Sequence, residues 1–260
     1  MNVNPLRSKW KAGKTVVGTF IMYSRDIATI EIAASAGLDF ILFDLEHRPH
    51  DPATIHDLCQ VARLAGMAPL VGPKTIEHHA IAHALDLGAS GVVIPHVETP
   101  NDVAVAIDAV RYPPKGKRGY CGTAGHNLYA GRTLGGSMSE QIENYNNDVS
   151  LLLKVESEAA LLNLDELVAS DDVDGVMIGP ADLSVDMGIP GQIHHERIAE
   201  LTVHAKDVCR KRNIHYGAFV STPEAGRDAV ADGATWVVVG SEMDSLSTLW
   251  NQAAHLGSDN

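Results

Sequence analysis

The feature that most limits the folds open to this chain is an alternation of eight short apolar or β-branched runs with longer segments of helical pattern. The runs are Val16–Met22, Phe40–Asp44, Ala68–Val71, Gly91–Pro95, Leu151–Glu156, Gly175–Gly179, His215–Val220 and Thr235–Gly240. Ile27–Ala36, Ala53–Ala65, Ile76–Leu87, Val103–Val110, Glu158–Ala169, Ile198–Arg212 and Pro223–Ala231 carry apolar residues three and four apart, the spacing of a helix with one buried face. Repeated βα units without a break in composition predict an α/β protein, a single (β/α)8 TIM barrel over residues 1–260. A doubly wound open sheet is the alternative. Glycines in Ala36-Gly37, Gly88-Ala89 and Gly233-Ala234 stand where helices end and turn into the next strand.

One connection after the fourth strand interrupts the rhythm. Residues 112–147 are rich in Gly, Asn and Pro, and only their last third has helical character. A connection this long in a compact domain is expected to be a lid, a binding loop or an oligomer contact, with Gly135-Gly136 as a hinge. His126, Tyr129 and Arg132 within it are candidate contacts for the tail of a substrate, although solvated loop residues are an equal reading.

Composition excludes several classes of function. Twenty basic residues against thirty-three acidic ones give a net charge of −13, which argues against nucleic acid or an anionic membrane surface as the main partner. No run approaches the roughly 18 apolar residues of a membrane span, and the opening MNVNPLRSKWKAGK lacks a signal peptide's apolar region. A cytoplasmic enzyme is expected. Cys59, Cys121 and Cys209 are odd in number and far apart, so neither a disulfide framework nor a zinc site is indicated.

The chemistry concentrates in residues 151–184, where two apolar runs each lead to a carboxylate across a helix-length segment. Residues two apart on a strand share a face, so Lys154 and Glu156 project together at the end of the first run, and Asp182 follows the second. If these runs are neighbouring strands, the two acids meet at one rim, where a hard divalent cation takes carboxylate and substrate oxygens. Gly179-Pro180-Ala181-Asp182 opens a turn or helix whose free N–H groups suit an anion. A single strand-end carboxylate is most often merely solvated; two with a lysine are harder to dismiss. After the second strand, Asp44-Leu45-Glu46-His47 offers His47 as a general base, with a structural role as the ordinary reading for any one of thirteen histidines.

These motifs carry a resemblance. From about Trp10 to Gly240 the chain resembles the HpcH/HpaI aldolase family, the metal-dependent pyruvate aldolases typified by 4-hydroxy-2-oxoheptanedioate aldolase and 2-dehydro-3-deoxyglucarate aldolase. The carriers include Gly18-Thr19-Phe20, Asp44-x-Glu46-His47, Arg111-Tyr112-Pro113-Pro114 with Arg118-Gly119, Val155-Glu156 and Gly179-Pro180-Ala181-Asp182-Leu183-Ser184. The resemblance implies a barrel whose last helix packs on a partner subunit, in homo-oligomers that are hexamers built from dimers. It implies Glu156 and Asp182 as ligands of a divalent metal (Mg, Mn or Co). Ala181 and Asp182 match the backbone positions that hold a pyruvate carboxylate. His47 matches the base, and Asp86 the acid that pairs with it across a subunit contact. Two positions depart from the pattern. Gly72 stands where the family carries an arginine on the ketone oxygen, and Lys154 where glutamine is usual. A Lys-x-Glu strand also resembles the active-site strands of pyruvate kinase, so Lys154 is expected as a relocated cation serving the substrate, with Lys74 next in line. The resulting expectation is a metal-dependent carbon–carbon lyase, a class II pyruvate aldolase, acting on 4-hydroxy-2-oxo acids to give an oxoacid such as pyruvate and an aldehyde. The alternatives are a lyase or decarboxylase for a different enolate-forming oxoacid, and a non-catalytic metabolite binder on the same barrel.

Overall fold

The computed structural model describes residues 4–129 and 136–256. Strands β1 (Val16–Ile21), β2 (Phe40–Asp44), β3 (Ala68–Gly72), β4 (Gly91–Ile94), β5 (Ser150–Val155), β6 (Gly175–Ile178), β7 (His215–Val220) and β8 (Trp236–Ser241) each pair in parallel with the next, and β8 with β1, to close a barrel. The open-sheet alternative is thereby removed. Helices α1 (Pro5–Lys11), α2 (Ile27–Ser35), α3 (Pro52–Leu64), α4 (His78–Asp86), α5 (Pro100–Val110), α6 (Met138–Asp148), α7 (Glu158–Leu162), α8 (Leu164–Leu167), α9 (Pro180–Asp186), α10 (Glu196–Arg212), α11 (Pro223–Ala231) and α12 (Glu242–Ala254), with one 3-10 turn at Gly125–Asn127, complete the described elements. None of the described helices is long and apolar enough to cross a membrane.

Two apolar layers hold the barrel. The larger lies between strands and helices and includes the thiol-bearing Cys59 and Cys209. The smaller fills the barrel with Leu42, Leu70, Val93, Leu152 and Met177, and α1 caps it with Leu6 and Trp10. Trp236 fits there because residue 217 is glycine: a Cβ at 217 would fall 2.1 Å from the indole. The expected helix Glu158–Ala169 is broken into α7 and α8 at Asn163, whose backbone (φ −100°, ψ 17°) leaves the helical region. Asparagine competes with the helix for local hydrogen bonds, and here its side chain donates to Glu166 at 3.2 Å.

The connection after β4 is fastened rather than free over its described part. Past α5, buried Arg111 donates to Asp172 at 3.0 Å and to the Val149 carbonyl at 2.7 Å. Arg63 of α3 donates to the His126 carbonyl at 2.7 Å, and Gln60 to that of Gly125 at 3.3 Å. A capping box of Ser137 and Glu140 then starts α6. The segment therefore lies along α3 and α4, outside the barrel. This corrects the reading of His126 as a solvated loop residue, whereas Tyr129 is 52% exposed. His126 is buried against Tyr145, with ring centroids 4.7 Å apart, and the Tyr129 hydroxyl bonds His56 Nε2 at 2.6 Å. Arg132 and Gly135 lie outside the described residues.

Candidate active site at the carboxyl ends of the strands

β5 and β6 are neighbours, in the register Lys154↔Met177 and Val155↔Ile178, so Glu156 and Gly179 leave the barrel side by side. The Glu156 side chain is only 1% exposed. Its carboxylate occupies the space in front of Gly179, where a Cβ would fall 2.3 Å from Oε1, so glycine at 179 is what admits it. Asp182 sits in the first turn of α9, a helix start that no side chain caps. Asp44 caps the turn after β2, accepting from the N–H groups of Glu46 at 2.8 Å and His47 at 3.1 Å. That turn swings Glu46 inward.

The charged groups form a closed ring. Lys154 Nζ lies 3.0 Å from Glu156 Oε1 and 3.6 Å from Glu46 Oε2. On the other side, His96 Nε2 lies 2.8 Å from Glu46 Oε1, and His96 Nδ1 lies 3.4 Å from Glu156 Oε2. Burial pulls the Lys154 ammonium down, but Glu156, Glu46 and Asp182 outweigh it and hold the ammonium above lysine's ordinary value. Burial raises the Glu156 carboxyl despite Lys154 and the His96 N–H. Lysine is thus held as a cation, while Glu156 bears the cost of desolvation. The ammonium approaches Oε1 off the hydrogen-bond direction, leaving that oxygen buried without an aligned donor.

A buried carboxylate oxygen whose one close partner is the Lys154 ammonium, a cradle kept open by glycine and a second acid on the adjacent element fit a hard divalent cation. Among the described residues no three His, Cys, Asp or Glu side chains converge on one point. Two protein carboxylates, with water or substrate oxygens elsewhere, are therefore the donor set that fits.

The other expected residues divide. Gly72 pairs in register with Asp44 and faces a pocket of about 40 Å³ that Lys154, Glu46 and Pro95 also line. A Cβ at 72 would meet nothing closer than 3.5 Å, so the backbone does not demand glycine, and its choice leaves room there. Lys74 is exposed. His47 is 53% exposed in its side chain, with Nε2 3.5 Å from Glu46 Oε2. Asp86 ends α4, at the opposite end of the barrel from the strand termini. Its carboxylate accepts from buried Arg118 at 2.7 Å. One chain does not bring Asp86 to His47.

Sequence reasoning passed over the parts played by Glu46 and His96. Glu46 lies inside a quoted motif, whereas His96, one residue past Pro95, gave no signal.

The family model of the HpcH/HpaI aldolase/citrate lyase family matches residues 18–248. The chain belongs to that family. It is an enzyme, a lyase, and members of the HpcH/HpaI family use a divalent metal. Over 241 residues it is 31% identical to a protein of Escherichia coli named 2-keto-3-deoxy-L-rhamnonate aldolase, covering 91% of this chain and 86% of that one. Its structure is similar to that of an HpcH/HpaI aldolase from Desulfitobacterium hafniense, with a TM-score of 0.91, 28% identity, and coverage of 99% and 98% of the two chains. The citrate lyase β subunit of M. tuberculosis, solved with oxaloacetate and magnesium, has a TM-score of 0.57 at 17% identity over 92% of this chain and 94% of that one, a likeness of fold.

Proposed function

We propose that this HpcH/HpaI enzyme is a divalent-metal-dependent aldolase that cleaves or forms 4-hydroxy-2-oxo acids through a pyruvate-type enolate. The observation that carries this reading is the meeting of Lys154 with Glu46 and Glu156, where Lys154 and Glu46 line the pocket at Gly72 and Asp182 stands on the adjacent element. When bound, the cation (Mg, Mn or Co) supplies Lewis-acid polarisation of the 2-oxo group. Glu156 and Asp182 hold it. The uncapped start of α9 offers the N–H groups of Ala181 and Asp182 to the substrate carboxylate. Lys154 stabilises the negative charge that grows on the enolate oxygen as the C3–C4 bond breaks. His47 moves the proton from the 4-hydroxyl, and protonation at C3 then releases pyruvate beside the aldehyde.

Asp86 orients His47 from a neighbouring subunit, so the enzyme works as a homo-oligomer, a hexamer, in the cytoplasm. Two features support assembly: α12 buries none of its residues within the chain, and a groove of about 450 Å³ lies open between α2 and α12. A second reading, a decarboxylase for a different enolate-forming oxoacid, rests on the room left at Gly72.

Exchange of pyruvate methyl protons for deuterium tests the proposal. Exchange is expected with Mg2+ or Mn2+, to stop on chelation and to return with the metal. No exchange by wild type with any of the three metals, or full exchange by Glu156→Gln, would overturn it.

A further inference from the structure

His96 leaves β4 in a conformation that side chains rarely adopt, with φ +49°. Among the described residues, the other non-glycine residues in this region are Leu128 and Tyr129 in the long connection and Asn213 at the C-cap of α10. Among the described residues, His96 alone of these follows a barrel strand at the active-site end. A Cβ makes this backbone region costly, and glycine would adopt it without strain. The histidine ring therefore has to return something that glycine would not.

What it returns is visible in the ring of charges. The left-handed turn directs the His96 backbone N–H to Glu156 Oε2 at 3.1 Å and the imidazole to the same oxygen at 3.4 Å. The far nitrogen reaches Glu46 Oε1 at 2.8 Å. Each carboxylate thus gives one oxygen to Lys154 and the other to His96. A single ammonium between two acids leaves both free to pivot about it and leaves their outer oxygens to repel each other. A second contact on the opposite side removes that freedom. The backbone N–H hydrogen-bonds Glu156 and the imidazole Nε2 abuts Glu46 Oε1, so neither contact depends on the loop carrying the partner acid.

We infer that His96 is a positioning residue that clamps Glu46 and Glu156 across the strand ends and so orders the carboxylate that takes the cation. The inference rests on Glu156 as a metal ligand, the reading given above. Partners of this kind, which orient a ligand without touching the metal, govern affinity by about 10–100-fold.

His96→Gly separates the clamp from the backbone, because glycine keeps the left-handed turn and the N–H and loses only the ring. Titration calorimetry with Mn2+ on metal-stripped protein is expected to show affinity about 10–100-fold weaker in His96→Gly than in wild type. Equal or tighter binding overturns the inference. A nitrogen hyperfine signal on wild-type-bound Mn2+ that vanishes in the variant also overturns it, since His96 would then be a ligand. If wild type binds no divalent ion, the metal reading fails by itself. Crystal structures of the two stripped proteins then decide the clamp: the Glu46 carboxylate is expected to leave its place opposite Glu156 in His96→Gly, and an unmoved Glu46 overturns the inference.

Discussion

A lysine that starts inside a closed barrel is expensive unless acids surround it, and Lys154 has two within 3.6 Å. Simple neutralisation of Glu156 would need only one. The ammonium also borders the pocket at Gly72, the position at which the family resemblance implies an arginine, and this placement argues for a role toward the substrate. Lys154→Met is expected to lower pyruvate proton exchange by about 10²-fold, the scale of losing one donor to a developing oxyanion. It should also retain Mn2+ binding. Exchange near the wild-type rate would leave Lys154 with charge balance alone. Lys154, Glu156 and Asp182 were legible because strand periodicity and strand ends fix where such side chains go. His96 was not, because a left-handed backbone at a non-glycine residue leaves no trace in sequence. Nor does one of thirteen histidines stand out by type.

At the scale of elements, the strands were legible to within a residue or two because their apolar runs are bounded by turn residues. Neither α1 nor α12 was foreseen from periodicity. α1 is a seven-residue plug with only Leu6 and Trp10 buried, too short to show a stripe, whereas α12 carries Met243, Leu246, Leu249 and Trp250 on a face that its own chain leaves exposed. The long connection misled for a different reason: its Gly and Pro content signals irregular backbone, but not the buried arginines that bind it to the barrel. Those contacts carry a pH dependence. Burial, with Arg118 and Arg63 nearby, pushes the His126 imidazole down to about 3, against about 6.5 in an unfolded chain. The folded state therefore binds fewer protons between these values. The stability that neutral His126 contributes is complete above pH 6.5 and falls as the pH drops toward 3. His126→Phe keeps a ring against Tyr145 and removes the titration. Urea unfolding at pH 7 and pH 5 is expected to show wild type losing about 2 kcal/mol more than the variant over that interval. Equal losses would mean that the imidazole is already solvated in the native protein.

The whole molecule is more than one closed barrel can account for. Leu249 and Trp250 on α12 are 60% and 65% exposed, and Leu246 of the same helix borders the groove against α2. Burying two such side chains contributes about 1.5–3 kcal/mol each, a part of what a contact with a second copy of this chain needs to offset the cost of association. Asp86 points the same way, since its own barrel places it far from His47. The roles proposed for Asp86 and His47 couple assembly to proton transfer, whereas the metal binding proposed for Glu156 and Asp182 is local to one barrel. Leu249→Asp with Trp250→Asp is expected to reduce the mass measured by light scattering on a sizing column. Pyruvate proton exchange should fall with the oligomer fraction, and the Mn2+ affinity should stay within about 2-fold, because surface changes away from the site rarely exceed 0.5 kcal/mol. A dissociated variant that keeps full exchange activity would show that His47 needs no partner subunit. Loss of Mn2+ affinity on dissociation would place a metal ligand at the interface. The first outcome would separate the barrel's chemistry from the assembly, and the second would tie metal binding to the assembly as well.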